Sequence, residues 1–224
     1  MSTLHPWDVS PGEAILIQKR LFREVTHDDG FRKIDYVAGV DIGYKKGEGR
    51  AAIVLFRYPQ MDLVDGIVVE GEVNFPYITG LLSFREIPLL LNGFEKLKID
   101  PDIILVDGQG IAHPRRLGLA SHLGLLLDCP TVGCAKSRLW GKYSEPGKEK
   151  GSIEYIYDKD DVIGAAVRTR ENVKVVFVSI GHKMSLDSSI RVVLKCCLKY
   201  RLPEPARLAH RAASGNLKLD RHHI

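Results

Sequence analysis

Apolar and polar positions change period several times along this chain, and each change predicts an element. In "SPGEAILIQKRLFREV", Ala14, Ile17, Leu21 and Val25 recur near one face of a helix. Ser10 stands at its N-cap, Pro11 in the first turn, and Glu13 at capping-box distance. "THDDG" ends that pattern. Three strand-like runs follow: "DYVAGVDIGY", "RAAIVLFRY" and "DLVDGIVVEGEV". The turn-rich "KKGEG" and "PQM" between them suit antiparallel hairpins, so the first unit reads as a meander. "TGLLSFREIPLLLNGFEKLK" predicts a helix. Ser83 and Glu86 have capping-box spacing there, and Pro88 fits only if it lies near the helix start.

The apolar strand "DIILVDG", the helix "RRLGLASHLGLLLD" and the strand "CPTVGCAK" come next. A helix between two strands is the signature of a parallel pair. After a charged loop, "IEYIYDK", "VIGAAVRT" and "KVVFVSI" read as strands. "SLDSSIRVVLKCCLKY" reads as a helix, and "RLPEPARLAHRAASGNLKLDRHHI" as a short helix with a basic tail. The order predicts an α/β fold with a mixed β-sheet, an antiparallel meander plus parallel strands, flanked by helices. No repeat, low-complexity tract or linker interrupts residues 1–224, which are expected to form a single domain.

Composition changes this picture little. The chain has 224 residues and a net charge of +4, compatible with a polyanionic partner without requiring one. Its four cysteines form no CxxC pair and have no histidines at zinc-ligand spacing, so reduced, buried thiols are expected. No apolar run approaches the ~20 residues of a membrane span, and the N-terminus lacks a signal-peptide pattern. A cytoplasmic protein without membrane association is expected.

Candidate chemistry gathers at charged residues in apolar strands. "ILVDGQGIAHPRRLG" gives G-x-G-x-x-H, short of a dinucleotide fingerprint, and Asp128 precedes the next strand where an acid should end it. Asp107 ends its strand, either as a metal ligand or as a turn cap. Asp41 shares a strand face with Val37, Gly39 and Gly43. A carboxylate there needs a cation or a basic partner, and the glycines leave room for something to approach the backbone. Glu86 is a third acidic candidate beside its reading as a cap. Three oxygen ligands on separate elements suit Mg2+ or Mn2+, which commonly serve phosphate chemistry. Lys136 would lie beside Asp107 if their strands pair, and could neutralise developing charge or remain a surface lysine. Tyr77, on a loop stiffened by Pro76, suits either a wedge between bases or a place in the core.

Together, "VAGVDIGY", "NFPYITGLLSFREIP", "ILVDGQGIAHPRRLGLASHLGLLLDCPTVGCAKSRLWG" and "RLPEPARLAHRAA" resemble the endonuclease V family, in the family's order and over nearly the whole chain. The resemblance implies a ribonuclease H-like fold and a Mg2+-dependent endodeoxyribonuclease, with Mn2+ able to substitute. Such an enzyme recognises deoxyinosine and hydrolyses the second phosphodiester bond 3′ to it, leaving 3′-hydroxyl and 5′-phosphate ends. By match, Asp41, Asp107 and Glu86 would hold the metal, Lys136 the scissile phosphate, and His210 a place near the metal. Tyr77 would be the wedge on the loop Pro76-Tyr77-Ile78-Thr79, where the family commonly has proline at the position of Thr79. Gly80, Leu82, Gly108 and Leu139 would wall the pocket for the flipped base, and the glycines after Asp107 would open backbone toward it. His113 matches a family histidine near the nucleic-acid site. The expected partner is DNA containing deaminated adenine, or RNA containing inosine, bound by a monomer. A related metal nuclease with another substrate, and a binding module without catalysis, remain the alternatives at this stage. Intact Asp41, Glu86 and Asp107 oppose the last, because carboxylates repel a polyanion unless a cation intervenes.

Overall fold

The computed structural model describes residues 4–45, 47–217 and 219. Helix α1 (Pro11–Leu21) starts with the expected capping box, in which Ser10 and Glu13 satisfy each other's backbone N–H groups. Its buried face is Ala14, Gln18 and Leu21. The sequence pattern had assigned Ile17 to this face and overlooked Gln18.

Strands β1 (Tyr36–Lys45), β2 (Glu48–Arg57) and β3 (Asp62–Glu72) form the predicted meander. Helix α2 (Leu82–Phe94), strand β4 (Ile103–Val106), helix α3 (Leu119–Leu127) and strand β5 (Thr131–Ala135) follow. The antiparallel strands β6 (Ile153–Asp158), β7 (Asp161–Val167) and β8 (Val176–His182) precede helices α4 (Leu186–Cys196) and α5 (Glu204–Ala213). One eight-stranded sheet has the order β3-β2-β1-β4-β5-β8-β7-β6. Its centre, β1-β4-β5, is parallel, and both flanks are antiparallel. The predicted mixed sheet flanked by helices is therefore present.

The central strands are buried on both faces, which explains the unbroken apolar run of β4. Ile104 and Val106 pack toward Ile87 and Leu90 of α2 and Leu123 of α3. Ile103 and Leu105 pack toward Val193 of α4 and Ala209 of α5. Alternation continues past the strand end, so Asp107 keeps the parity of Leu105 and Asp41 that of Val37. Both acids therefore belong to the face covered by α5.

That face has an unusually close contact. A Cβ placed on Gly39 would lie 2.1 Å from the carbonyl carbon of Pro205, and one on Gly43 would lie 2.6 Å from the Ala213 oxygen. Four strand residues rise about 13 Å and eight helical residues about 12 Å, so α5 runs along β1 with matching length. The approach anticipated at these glycines is the backbone of the C-terminal helix.

Three local expectations are corrected. Ser83 and Glu86 do not form a capping box, because α2 starts at Leu82 after Leu81 with no side-chain cap. Both residues are buried, and their side chains are taken by His122 and Tyr44. Pro88 lies inside α2, beyond its first turn. Helix α3 begins at Leu119, because residues 113–116 form a turn, closed by the Arg116 N–H on the His113 carbonyl, with Arg116 at φ 57°. All four cysteines are free, and Cys134, Cys196 and Cys197 are buried. No helix of the described residues is long and apolar enough to cross a membrane. The basic tail lies, except for residues 214–217 and 219, outside the described residues.

Gly39→Ala should push α5 off β1. Overpacking of this kind costs about 1–3 kcal/mol. Urea denaturation should show that loss, and hydrogen exchange should locate it in α5.

Candidate active site

The parallel core places the sequence-predicted residues at one end of the sheet. Asp41 lies in β1, Asp107 directly follows β4, and Lys136 directly follows β5. This is the carboxyl edge of the parallel strands, where α/β sheets commonly bind ligands. Lys136 Nζ lies 2.5 Å from Asp107 Oδ2, the neighbourhood expected from strand pairing. From the helix lying on Gly39 and Gly43, His210 Nδ1 donates to Asp41 Oδ2 at 2.7 Å.

Asp41, Asp107 and His210 each offer a donor atom, and these atoms all lie within 4.8 Å of one another. Glu86 stands behind this trio on α2 and is 7% exposed. The Tyr44 hydroxyl donates to its Oε1 at 3.0 Å. Burial, followed by the charges of Asp41 and Asp107, raises the Glu86 pKa to about 8, against the opposing Tyr44 hydrogen bond. Burial and Asp107 also raise the Asp41 pKa, despite its bond to His210. A buried group of like charges is costly without a counterion. Lys136 answers part of that charge, and His210 satisfies Asp41 by a hydrogen bond. The remaining donors, mostly carboxylate oxygens, fit a hard divalent cation of the Mg2+ or Mn2+ type.

Beside the acids is a cavity of about 320 Å³. All four expected wall residues, Gly80, Leu82, Gly108 and Leu139, line it, as do Tyr77 and Lys136. Tyr77 is 75% exposed, so core packing does not account for it. The glycines after Asp107 divide in role. Gly108 lines the cavity, whereas a Cβ on Gly110 would meet the Ile180 carbonyl oxygen of β8. Gly110 therefore serves close packing rather than access to the cavity.

His113 acquires a role that the sequence left open. It is buried, its Nε2–H donates to the Gly80 carbonyl at 3.0 Å, and its Nδ1 accepts from the Arg115 N–H at 3.1 Å. That pairing fixes one neutral tautomer. Burial, aided by the Arg115 charge, lowers its pKa to about 4. The same Gly80 carbonyl accepts from Arg115 Nη2 at 2.7 Å and from Gln18 Nε2 at 3.0 Å. Gly80 has φ +81°, a left-handed conformation that glycine adopts readily. Three donors thus clamp the base of the loop that carries Tyr77. The sequence reading missed Gln18, Tyr44 and Arg115. A glutamine at an apolar helical position was the available signal for Gln18.

Gln18 Nε2 also donates to the buried Leu117 carbonyl at 2.9 Å, so Gln18→Leu should leave that carbonyl without this donor and Gly80 with two donors in place of three, a defect of about 1–3 kcal/mol. The effect predicted at the site is poorer strand binding, read as a higher KM with kcat nearly unchanged. Equal losses in both parameters would assign Gln18 a different role.

Comparisons with known proteins agree with this geometry. The family model described as Endonuclease V matches residues 19–211. Endonuclease V of Dictyoglomus turgidum is 52% identical over 198 residues, covering 88% of this chain and 87% of that protein. The crystal structure of Streptomyces avermitilis endonuclease V superposes with a TM-score of 0.89 at 39% identity, covering 94% of each chain. Ciona intestinalis endonuclease V, in complex with a 23mer DNA containing an inosine followed by a ribo-adenosine, has a TM-score of 0.82 at 28% identity. That match covers 93% of this chain and 98% of the other. The sheet is thus the ribonuclease H-like one that the motifs implied, and the chain belongs to the endonuclease V family.

Proposed function

We propose that this protein is a divalent-metal-dependent endonuclease that nicks DNA at the second phosphodiester bond 3′ to deoxyinosine. The observation that carries this reading is the meeting of Asp41, Asp107 and His210 beside Lys136, at the mouth of a cavity built partly from glycine backbone. Asp41, Asp107 and His210 would hold the cation, with Glu86 completing the charge from behind. When bound, a Mg2+ or Mn2+ ion supplies Lewis-acid charge to the phosphate and acidifies water.

The protein's own groups do the rest. Lys136 carries positive charge to the phosphate that is cut. His210 donates to Asp41 and fixes the direction of that carboxylate. Glu86 holds a proton at neutral pH until a cation favours its ionised form. Tyr77, exposed at the cavity mouth, fills the stack vacated by the flipped base, and Ile78 adds apolar surface on the same loop. Gly80, Leu82, Gly108 and Leu139 surround that base. His113 supports this recognition from beneath through Gly80. The Ciona complexes, in which inosine precedes a ribo-adenosine, favour a second substrate with ribonucleotide 3′ to the lesion.

The test is nicking of matched DNA and RNA strands containing one inosine, with the cut position mapped. Cleavage should require Mg2+ or Mn2+, stop in EDTA and leave a 5′-phosphate. Asp107→Asn should keep the fold and lose at least about 100-fold in kcat, the scale of a removed electrostatic group. Cleavage in EDTA, or a near-wild-type Asp107→Asn, would refute the metal-dependent reading.

A further inference from the structure

A second concave feature begins where the cavity ends. A groove of about 610 Å³ shares Lys136 with the cavity and continues to Lys148, Arg168, Lys174 and Arg201. One carboxylate, Glu145, lines it against these five cations. The local surplus therefore equals the +4 net charge of the entire chain.

The floor of this groove is built rather than incidental. Arg168 is 7% exposed, and its guanidinium donates to the carbonyls of Pro146, Gly147 and Val173 and to the Glu145 carboxylate. These bonds tie residues 145–147 to the segment leading into β8. Arg201 donates to the carbonyls of Lys136, at 2.8 Å, and Val175. Among the described residues, no carboxylate lies within ion-pair distance of Arg201, Lys148 or Lys174. The edge-to-face pair Tyr143 and Phe177 supplies an apolar wall. A rigid basic floor with two exposed lysines on its rim matches a phosphodiester backbone, which carries a negative charge at each nucleotide.

The substrate is a polymer and must leave the catalytic centre on both sides. Its flipped base occupies the cavity, and the cut lies 3′ to that base, at Lys136. Past Lys136 the strand meets this groove. We propose that the groove carries the phosphate backbone of the substrate strand on the 3′ side of the cut, with Lys148 and Lys174 as its phosphate contacts. The inference rests on the inosine-endonuclease reading and adds the path of the downstream strand. Arg201 links the two regions, because it fixes the Lys136 backbone and lies on the groove floor.

The experiment compares the wild type with a Lys148→Gln/Lys174→Gln double variant on single-inosine strands. The 3′ flanks are about 12 or about 3 nucleotides, bracketing the usual footprint of a single-strand groove. On the long flank the variant should raise KM about tenfold with kcat nearly unchanged, and flatten the log–log salt dependence by about 1.5 to 2. On the short flank the two enzymes should coincide. Equal KM values on the long flank would overturn the groove assignment while leaving the nuclease reading intact. A defect that persists undiminished on the short 3′ flank would overturn it in the same way. A wild-type enzyme that leaves every inosine strand uncut would overturn both.

Discussion

Carboxylate repulsion is the constraint around which the rest of this molecule is arranged. Asp41, Glu86 and Asp107 come from three elements and converge in a poorly hydrated place, where Asp107 raises the cost of ionising Asp41 and both raise that of Glu86. A structure selected for stability alone would separate them or bury apolar groups instead. Here Lys136 touches Asp107 and neutralises part of the charge, and the His210 hydrogen bond to Asp41 together with the Lys136 contact fixes the directions of both acids. The remaining negative charge is what a divalent cation and a phosphate group can use together.

The fold achieves this convergence with few devices. The parallel core sets Asp41, Asp107 and Lys136 at one edge through strand order alone. Gly39 and Gly43 remove the side chains that would hold α5 away from β1, and His210 reaches Asp41 as a result. On the opposite face, α2 brings Glu86 beneath the acids and its preceding loop brings Gly80 to the cavity. The Gly80 carbonyl, held by Gln18, His113 and Arg115, then joins α1 and the 113–115 turn to the loop that exposes Tyr77. Recognition and chemistry therefore share one rigid support.

Much of this was legible in the sequence. Alternation in β1 placed Asp41 on a face with two glycines, and the strand–helix–strand order placed Lys136 beside Asp107. Those are local periodicities, which the chain writes directly. The family motifs added His210 and the cavity residues, whose meeting depends on long-range packing. Roles set by burial were less visible. Ser83 and Glu86 have capping-box spacing, yet their side chains turn inward to His122 and Tyr44 because both positions are buried. Gly110 looked like part of an open turn but serves a close approach to β8. His113 and Gln18 make their contacts with a single backbone carbonyl distant in the chain, and no spacing rule reports such a contact.

The central claim is that the fold concentrates carboxylate charge and leaves it for a divalent cation. Thermal unfolding between about pH 7.5 and about pH 9, with EDTA or with Mg2+, tests this most directly. The native pKa of Glu86 is about 8 against an ordinary 4.5, so this acid holds a proton in the metal-free native state that it lacks when unfolded. Above about pH 7.5 the buried histidines His5, His113, His122 and His182, all with lowered pKa values, are close to neutral in both states and no longer oppose it. Metal-free stability should therefore fall as pH rises from about 7.5 to about 9. Magnesium favours the ionised acids, so its stabilisation should grow with pH. On that claim, the melting temperature should decline from about pH 7.5 to about pH 9 in EDTA and be restored by Mg2+ more at the upper end of that range than at the lower, with Asp107→Asn abolishing the restoration. A melting temperature independent of both pH and Mg2+ would contradict it.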